Sequence, residues 1–200
     1  QMDRAHGHTD ATVRQQSQAM VDLLIPVVKG WCTETAQQVV ADGVQVHGGM
    51  GFIEETGAAQ YVRDARITTI YEGTTGIQAN DLIGRKLARE GGVTMKALTR
   101  TMSADAHRLS EHPDASLRQL GQGLQRGLDA LSQATDWLLT VGAQQPAASA
   151  AGAVPYLKLS GTVIGGWLMS RSAEAAQAQL SGATGDEGFL SAKVGTALHF

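Results

Sequence analysis

Apolar positions along this chain recur mostly at three- and four-residue steps, the spacing that gathers side chains on one face of a helix. Over 10–25, Val13, Ala19, Met20, Leu23 and Leu24 trace a rough stripe. Pro26 follows where a new helix can begin, because a first-turn residue has no N–H bond to lose. The stripe is cleaner from Val27 to Val44, through Val28, Trp31, Cys32, Ala36, Val39 and Val40. It stops at Gln45–Phe52, which reads Q-V-H-G-G-M-G-F. Each glycine costs a helix about 1 kcal/mol relative to alanine, so Gly48, Gly49 and Gly51 together predict a loop. Thr56 is placed to cap a helix over about 57–66, with Arg63 and Arg66 near its C-terminal end. Ile70–Gly76 predicts a second loop. Thr74 or Thr75 then caps a helix from about 77 to 90, which Gly91-Gly92 closes.

Beyond Gly92 the pattern predicts helices over 94–111, 115–142 and 154–182, and a short one over 187–198. Pro113-Asp114 separates the first two, and Ala143–Ala153 reads as a small-residue loop. There is no internal repeat. The expected fold class is all-α: a loop-rich first part, then a plainer helical bundle.

Composition narrows the function classes. The chain has 200 residues, a formal net charge of −3 and no basic patch of the kind that binds nucleic acid. Its apolar runs are far short of the ~20 residues that span a bilayer. A single cysteine, Cys32, excludes an internal disulfide framework and fits a reducing cytoplasm. Cys32 itself is expected to be a small buried residue on its helix. Residue 1 is Gln and no signal-peptide pattern follows, so a piece of a longer chain is expected. His6, His8 and His47 read as solvated polar residues without a metal role, and Glu54 and Glu55 as a solvated loop.

The two loops carry the candidate chemistry. In Gln45–Phe52, clustered glycines leave backbone N–H groups uncovered and let a phosphate or polar cofactor edge approach, but such loops between helices are common and, taken alone, this one reads first as a plain interhelical loop. In Ile70–Gln78, I-Y-E-G-T-T-G-I-Q, one carboxylate sits in an apolar, uncharged run. Burial there would raise its pKa and make it a base for a weak carbon acid, with backbone N–H groups near Gly73 free to hold an anionic oxygen. The alternative for Glu72 is a favourable charge at the start of the next helix.

Taken in order, G-G-M-G, then R-D-A-R-I over 63–67, then I-Y-E-G-T-T-G-I-Q resemble the C-terminal helical domain of the flavin-dependent acyl-CoA dehydrogenases, over about Leu24–Leu87. The wording L-I-P-V-V-K-G-W-C-T-E and Q-V-H-G-G-M-G-F-I-E-E-T-G-A-A-Q is most similar to the bacterial branch that includes 3-methylmercaptopropionyl-CoA dehydrogenases. Members of that branch carry an added C-terminal helical region, which residues 94–200 resemble. The implied domains are 1–92, part of the helical domain, and 93–200, the added region.

The resemblance implies that Glu72 removes the α-proton of an acyl-CoA thioester while hydride leaves the β-carbon for the flavin of FAD. It implies that Gly73 contacts substrate, and that Thr74, Thr75 and Gly76 contact FAD. Many relatives have glutamine where Gly76 stands, so one side-chain contact is missing or replaced. Gln45, Val46, His47, Gly48 and Gly49 match the stretch that reaches the ADP part of FAD, typically that of a neighbouring subunit. A homo-oligomer, dimer or tetramer, is therefore implied, with an electron-transfer flavoprotein as electron acceptor. Gln78 joins the helix-start network, and Arg63 with Asp64 reads as a structural helix-end pair. The family's N-terminal helical domain and middle β-domain have no counterpart in residues 1–200. The chain is expected to be a C-terminal fragment that alone binds FAD poorly and is inactive. An acyl-CoA oxidase would carry the same glutamate, and a non-catalytic assembly module would have no use for it. Trp137, Tyr156 and Trp167 are expected as core or interface aromatics.

Overall fold

The computed structural model describes every residue from Gln1 to Phe200. All regular elements are helical and no strand is present, as the periodicity requires. The first helices are α1 (Met2–Gly7), α2 (Ala11–His47), α3 (Gly49–Phe52), α4 (Ala58–Arg66) and α5 (Thr75–Asp81). They are followed by α6 (Val93–Ser110), α7 (Ala115–Thr140), α8 (Pro146–Ser181) and α9 (Glu187–His199). The chain divides into two compact units, Gln1–Thr94 with Leu138–Gly161, and Met95–Trp137 with Thr162–Phe200. Helices α7 and α8 each contain a boundary between them.

The first unit is organised by α2. Asp10 caps it, its carboxylate accepting from the amides of Thr12 (2.7 Å) and Val13 (3.4 Å). Two helices meeting at Pro26 were the expectation, but α2 runs through the proline unbroken. An interior proline costs about 3 kcal/mol through its lost N–H and its clash with the preceding turn. Burial of the Pro26 ring, together with Leu23 and Val27, offsets that cost. Gly30 lies on the same buried stripe, and a Cβ there would come within 2.8 Å of Leu157 on α8. Cys32 is exposed rather than buried. It sits two residues past Gly30, roughly 200° around the helix from the buried stripe.

The glycine-rich stretch is a corner between helices rather than an open loop. Helix α2 extends through Gln45, Val46 and His47, and Gly48 alone turns the chain with φ +59°. Gly49 and Gly51 belong to the single turn of α3. A Cβ at Gly51 would lie 2.3 Å from the Val44 carbonyl oxygen, so this position demands close backbone approach. Thr56 does not cap α4. Its hydroxyl donates to the Met50 carbonyl (2.6 Å), and Gly57, at φ +76°, precedes the helix. After α5 the winding loosens into a π-helical stretch, Leu82–Leu87, and tightens into a 3₁₀ turn, Ala88–Glu90. Gly91 and Gly92, both at positive φ, end it, with the Gly92 amide bonded to the Leu87 carbonyl at 2.9 Å.

Much of the expected 143–153 loop is helix. Pro146 opens α8, and the alanine-rich stretch behind it has the highest intrinsic preference for helix. In the second unit Leu109, Leu117, Ala173, Ala176, Leu190, Val194 and Ala197 form a core cluster. A polar cluster ties α6 to α8. The Trp167 indole N–H donates to Asp105 (2.7 Å), and Arg108 binds both Asp105 (3.0 Å) and Glu174. Arg171 lies over the Trp167 ring at 5.2 Å. Partial burial pushes the Asp105 carboxyl upward. The Trp167 and Arg108 hydrogen bonds and the charges of Arg108 and Arg171 outweigh it and hold the group below its ordinary value. Tyr156 is buried in the first unit, whereas Trp137 remains partly exposed.

Candidate active site

Glu72 stands on a reversal between a 3₁₀ turn, Ile67–Thr69, and α5. The reversal is made by two consecutive left-handed residues, Glu72 at φ +54° and Gly73 at φ +93°. Glycine adopts such a conformation freely, but a non-glycine residue loses about 1–2 kcal/mol there. Strain of this kind persists only where surrounding structure holds it. The Lys29 ammonium on α2 donates to the Gly73 carbonyl at 2.6 Å. Gln78 on α5 donates to the Glu72 carbonyl at 3.1 Å. The Thr75 hydroxyl donates to the Glu34 carboxylate on α2 at 2.6 Å. Of the two candidate caps, Thr74 is the one that serves α5, accepting from the Ile77 amide at 3.4 Å.

The Glu72 side chain is exposed and makes no hydrogen bond or ion pair within the chain. The burial assumed for this carboxylate is therefore not supplied by residues 1–200. Ile70, Tyr71 and Ile77 around it are also exposed, each about half or more. Such an apolar, uncharged rim can dry a carboxylate once something covers it.

The structure brings Glu72, Gly73, Thr74, Thr75 and Gly76 together, and Gln45, Val46, His47, Gly48 and Gly49 together, but it does not join the two groups. Glu34, which holds Thr75, precedes Gln45 by eleven residues of α2, roughly 17 Å of helix. One compact ligand cannot touch both. An elongated ligand, or two separate ones, can.

The residues present fit a bulky polar cofactor at both places. A Cβ at Gly48, Gly49 or Gly76 would meet nothing within 4 Å, so backbone is open to approach there. Val46, Met50 and Phe52 are strongly exposed beside the corner, next to an open hollow of about 570 Å³ lined by Val44, Phe52, Ile53, Ala59 and Val62. His47 uses Nδ1 toward the Gly43 carbonyl at 2.8 Å and leaves its other ring nitrogen free of partners. Thr75 has spent its proton on Glu34 and offers only lone pairs.

Glu54 is not simply solvated, and Arg63 does not pair with Asp64. Arg63 grips Glu54 with two bonds, at 2.8 and 2.7 Å. That hydrogen bond first, and the attraction of the charges second, lower the Glu54 pKa and raise that of Arg63. Both side chains are exposed, so the pair adds little stability. No three metal-ligating side chains are gathered anywhere. Sequence reasoning alone gives Lys29 and Glu34 no role. The available signal was their isolation as charges in the apolar run V-V-K-G-W-C-T-E, at 27–34.

Residues 5–87 match the family model described as acyl-CoA dehydrogenase, C-terminal domain, and residues 91–200 match one described as acetyl-CoA dehydrogenase C-terminal like. The chain belongs to the acyl-CoA dehydrogenase family. It is 47% identical over 192 residues to 3-methylmercaptopropionyl-CoA dehydrogenase of Ruegeria pomeroyi, covering 96% of this chain and 32% of that protein. It is 36% identical over 187 residues to the broad-specificity linear acyl-CoA dehydrogenase FadE5 of Mycobacterium tuberculosis, covering 90% of this chain and 30% of the relative. A shorter match, 36% over 63 residues, is to the caffeyl-CoA reductase-Etf complex subunit CarC of Acetobacterium woodii, covering 32% and 17%. The chain thus spans about a third of the length of the first two relatives. No helix of the chain is long and apolar enough to cross a membrane.

Proposed function

We propose that this chain is the C-terminal part of an FAD-dependent acyl-CoA dehydrogenase, and that the full-length protein converts an acyl-CoA thioester to its trans-2-enoyl-CoA. The observation that carries the proposal is Glu72: an exposed carboxylate with no internal partner, held on strained backbone by three side-chain ties. A surface glutamate without a task has no reason to be held this way.

In this reading a Glu72 oxygen takes the α-proton of the thioester. The C–H electron pair becomes the Cα=Cβ bond as hydride departs from Cβ. Bound FAD supplies the two-electron acceptor for that hydride. The Glu72 backbone N–H faces the thioester oxygen on which negative charge grows, and Gly73 lines the substrate beside it. Covering Glu72 with the acyl chain and with the rest of the protein removes water from around the carboxylate, so that it meets the substrate unsolvated. Thr74, Thr75 and Gly76 face the FAD of this active site. Gln45, Val46, His47, Gly48 and Gly49, roughly 17 Å away along α2, face the ADP part of a second FAD, held mainly by a neighbouring copy in a dimer or tetramer. Residues 1–92 form the catalytic helical part and 93–200 an added region that packs in the assembly. An electron-transfer flavoprotein receives the electrons, in the cytoplasm.

The test uses the full-length protein, loaded with FAD and kept free of oxygen, against acyl-CoA thioesters of varied length, one of them a thioether. Flavin bleaching by one member is expected, together with loss of nearly all turnover in Glu72→Gln. A Glu72→Gln variant with normal turnover would sink the assignment of the base. Failure of every thioester to bleach a folded, flavin-loaded protein would favour an assembly module. Fast reoxidation of the reduced flavin by oxygen would mark an oxidase.

A further inference from the structure

We infer that Lys29 is a positioning residue for Glu72: its ammonium fixes the 73–74 peptide unit, one residue beyond the base, and so holds the reversal that aims the carboxylate. The inference rests on the reading of Glu72 as the base. A peptide unit is planar, so fixing its carbonyl also fixes its N–H on the opposite side. Gln78 fixes the 72–73 unit through the Glu72 carbonyl, and Lys29 fixes the 73–74 unit through the Gly73 carbonyl. Together they fix the two peptide units that flank Gly73, and with them the C-terminal side of Glu72. Release of either lets Glu72 fall back to a right-handed or extended backbone, which swings its side chain away from the position it now holds.

The two ties differ in strength. Gln78 lies six residues from Glu72 and is a neutral donor from the same local segment. Lys29 lies 44 residues from Gly73, and its bond is charge-assisted and short. It is also half-buried and stands 5.9 Å from the centre of the Tyr71 ring, a further contact that favours the charged head at this place. Lys29 anchors the reversal to α2, the long helix that organises the first unit, with the Glu34–Thr75 bond as a second anchor about one and a half turns further along. It touches neither the carboxylate nor the reacting atoms, and acts only through the backbone.

The experiment compares Lys29→Met and Lys29→Arg with the parent in the full-length protein. Lys29→Met keeps length and removes the donor; Lys29→Arg keeps a donor. For Lys29→Met, kcat should fall roughly 10- to 100-fold with KM changed by less than about threefold, because a misaimed base still lets substrate bind. Lys29→Arg should recover most of the loss. Hydrogen exchange at the amides of Tyr71, Ile77 and Gln78, which are bonded on either side of the reversal, should speed up several-fold in Lys29→Met, with or without flavin. Exchange unchanged at those amides, or kcat within twofold of the parent, overturns the inference. So does faster exchange spread along α2 and α5 with a matching fall in melting temperature, which would make Lys29 a packing residue. If no thioester bleaches the parent but the exchange effect stays confined to the reversal, the clamp stands and the reading of the reaction fails instead.

Discussion

Gly121→Ala sets two opposing effects against each other within one methyl group. In the middle of α7, alanine should be better than glycine by about 1 kcal/mol, because glycine has more backbone freedom to lose. The surroundings oppose this. A Cβ at residue 121 would lie 2.5 Å from the Ser110 amide nitrogen, 2.8 Å from the Ala106 carbonyl oxygen and 2.8 Å from the Leu109 carbonyl carbon. All three are backbone atoms of the last turns of α6, or next to it, so no side chain can rotate out of the way. The end of α6 would have to retreat by about 1 Å, pulling Ala106 and Leu109 from sites where both are fully buried. Overpacking of this kind costs about 1–3 kcal/mol, and the rigid contact puts it at the upper end. The net expectation for Gly121→Ala is a loss of about 1–2 kcal/mol. Gly195 on α9 is the control, since it is exposed and a Cβ there meets nothing within 4 Å. Gly195→Ala should gain about 0.5–1 kcal/mol from backbone freedom alone. Urea unfolding of the 200-residue chain, followed by the helical signal at 222 nm, should place the two midpoints on opposite sides of the parent. A Gly121→Ala chain as stable as Gly195→Ala would refute the reasoning, because it would mean that α6 and α7 are not in backbone contact.

Gly73→Ala in the full-length protein should lower kcat. The left-handed backbone costs about 1–2 kcal/mol and a displaced Gln78 bond about 1 more, together an effect of roughly 30- to 150-fold at most; kcat within twofold of the parent would show that the reversal adapts without cost. The second unit should lose stability in acid through Asp105. Its folded pKa lies below the unfolded value of about 3.9, so its contribution is present above that value and disappears as pH falls through the folded pKa. Asp105→Asn keeps an acceptor for Trp167 and should flatten the stability–pH curve below about pH 4; an unchanged curve would assign the acid sensitivity elsewhere.

What the sequence determined by itself is what depends on neighbours a few residues apart. The period of apolar residues settles the helical class, the Thr74-Thr75 pair marks the start of α5, and Gly91-Gly92 marks the close of the segment behind it. The G-G-M-G, R-D-A-R-I and Y-E-G-T-T-G-I-Q order carries the family, because each motif is contiguous. What the tertiary structure alone decided depends on contacts that no local spacing encodes. Pro26 reads as a helix start, yet burial of its ring lets α2 continue. Gly48, Gly49 and Gly51 read alike, yet only Gly48 takes the left-handed turn, and Gly51 is needed because α3 folds back on the Val44 carbonyl. Arg63 reads as a partner for its neighbour Asp64, yet the chain doubles back to offer Glu54. Glu72 stands out in sequence. What holds it comes from Lys29 and Glu34, joined to Gly73 and Thr75 across 44 and 41 residues. A pattern read along the chain reports which face of a helix is apolar; only packing reports which distant residue that face brings to the site.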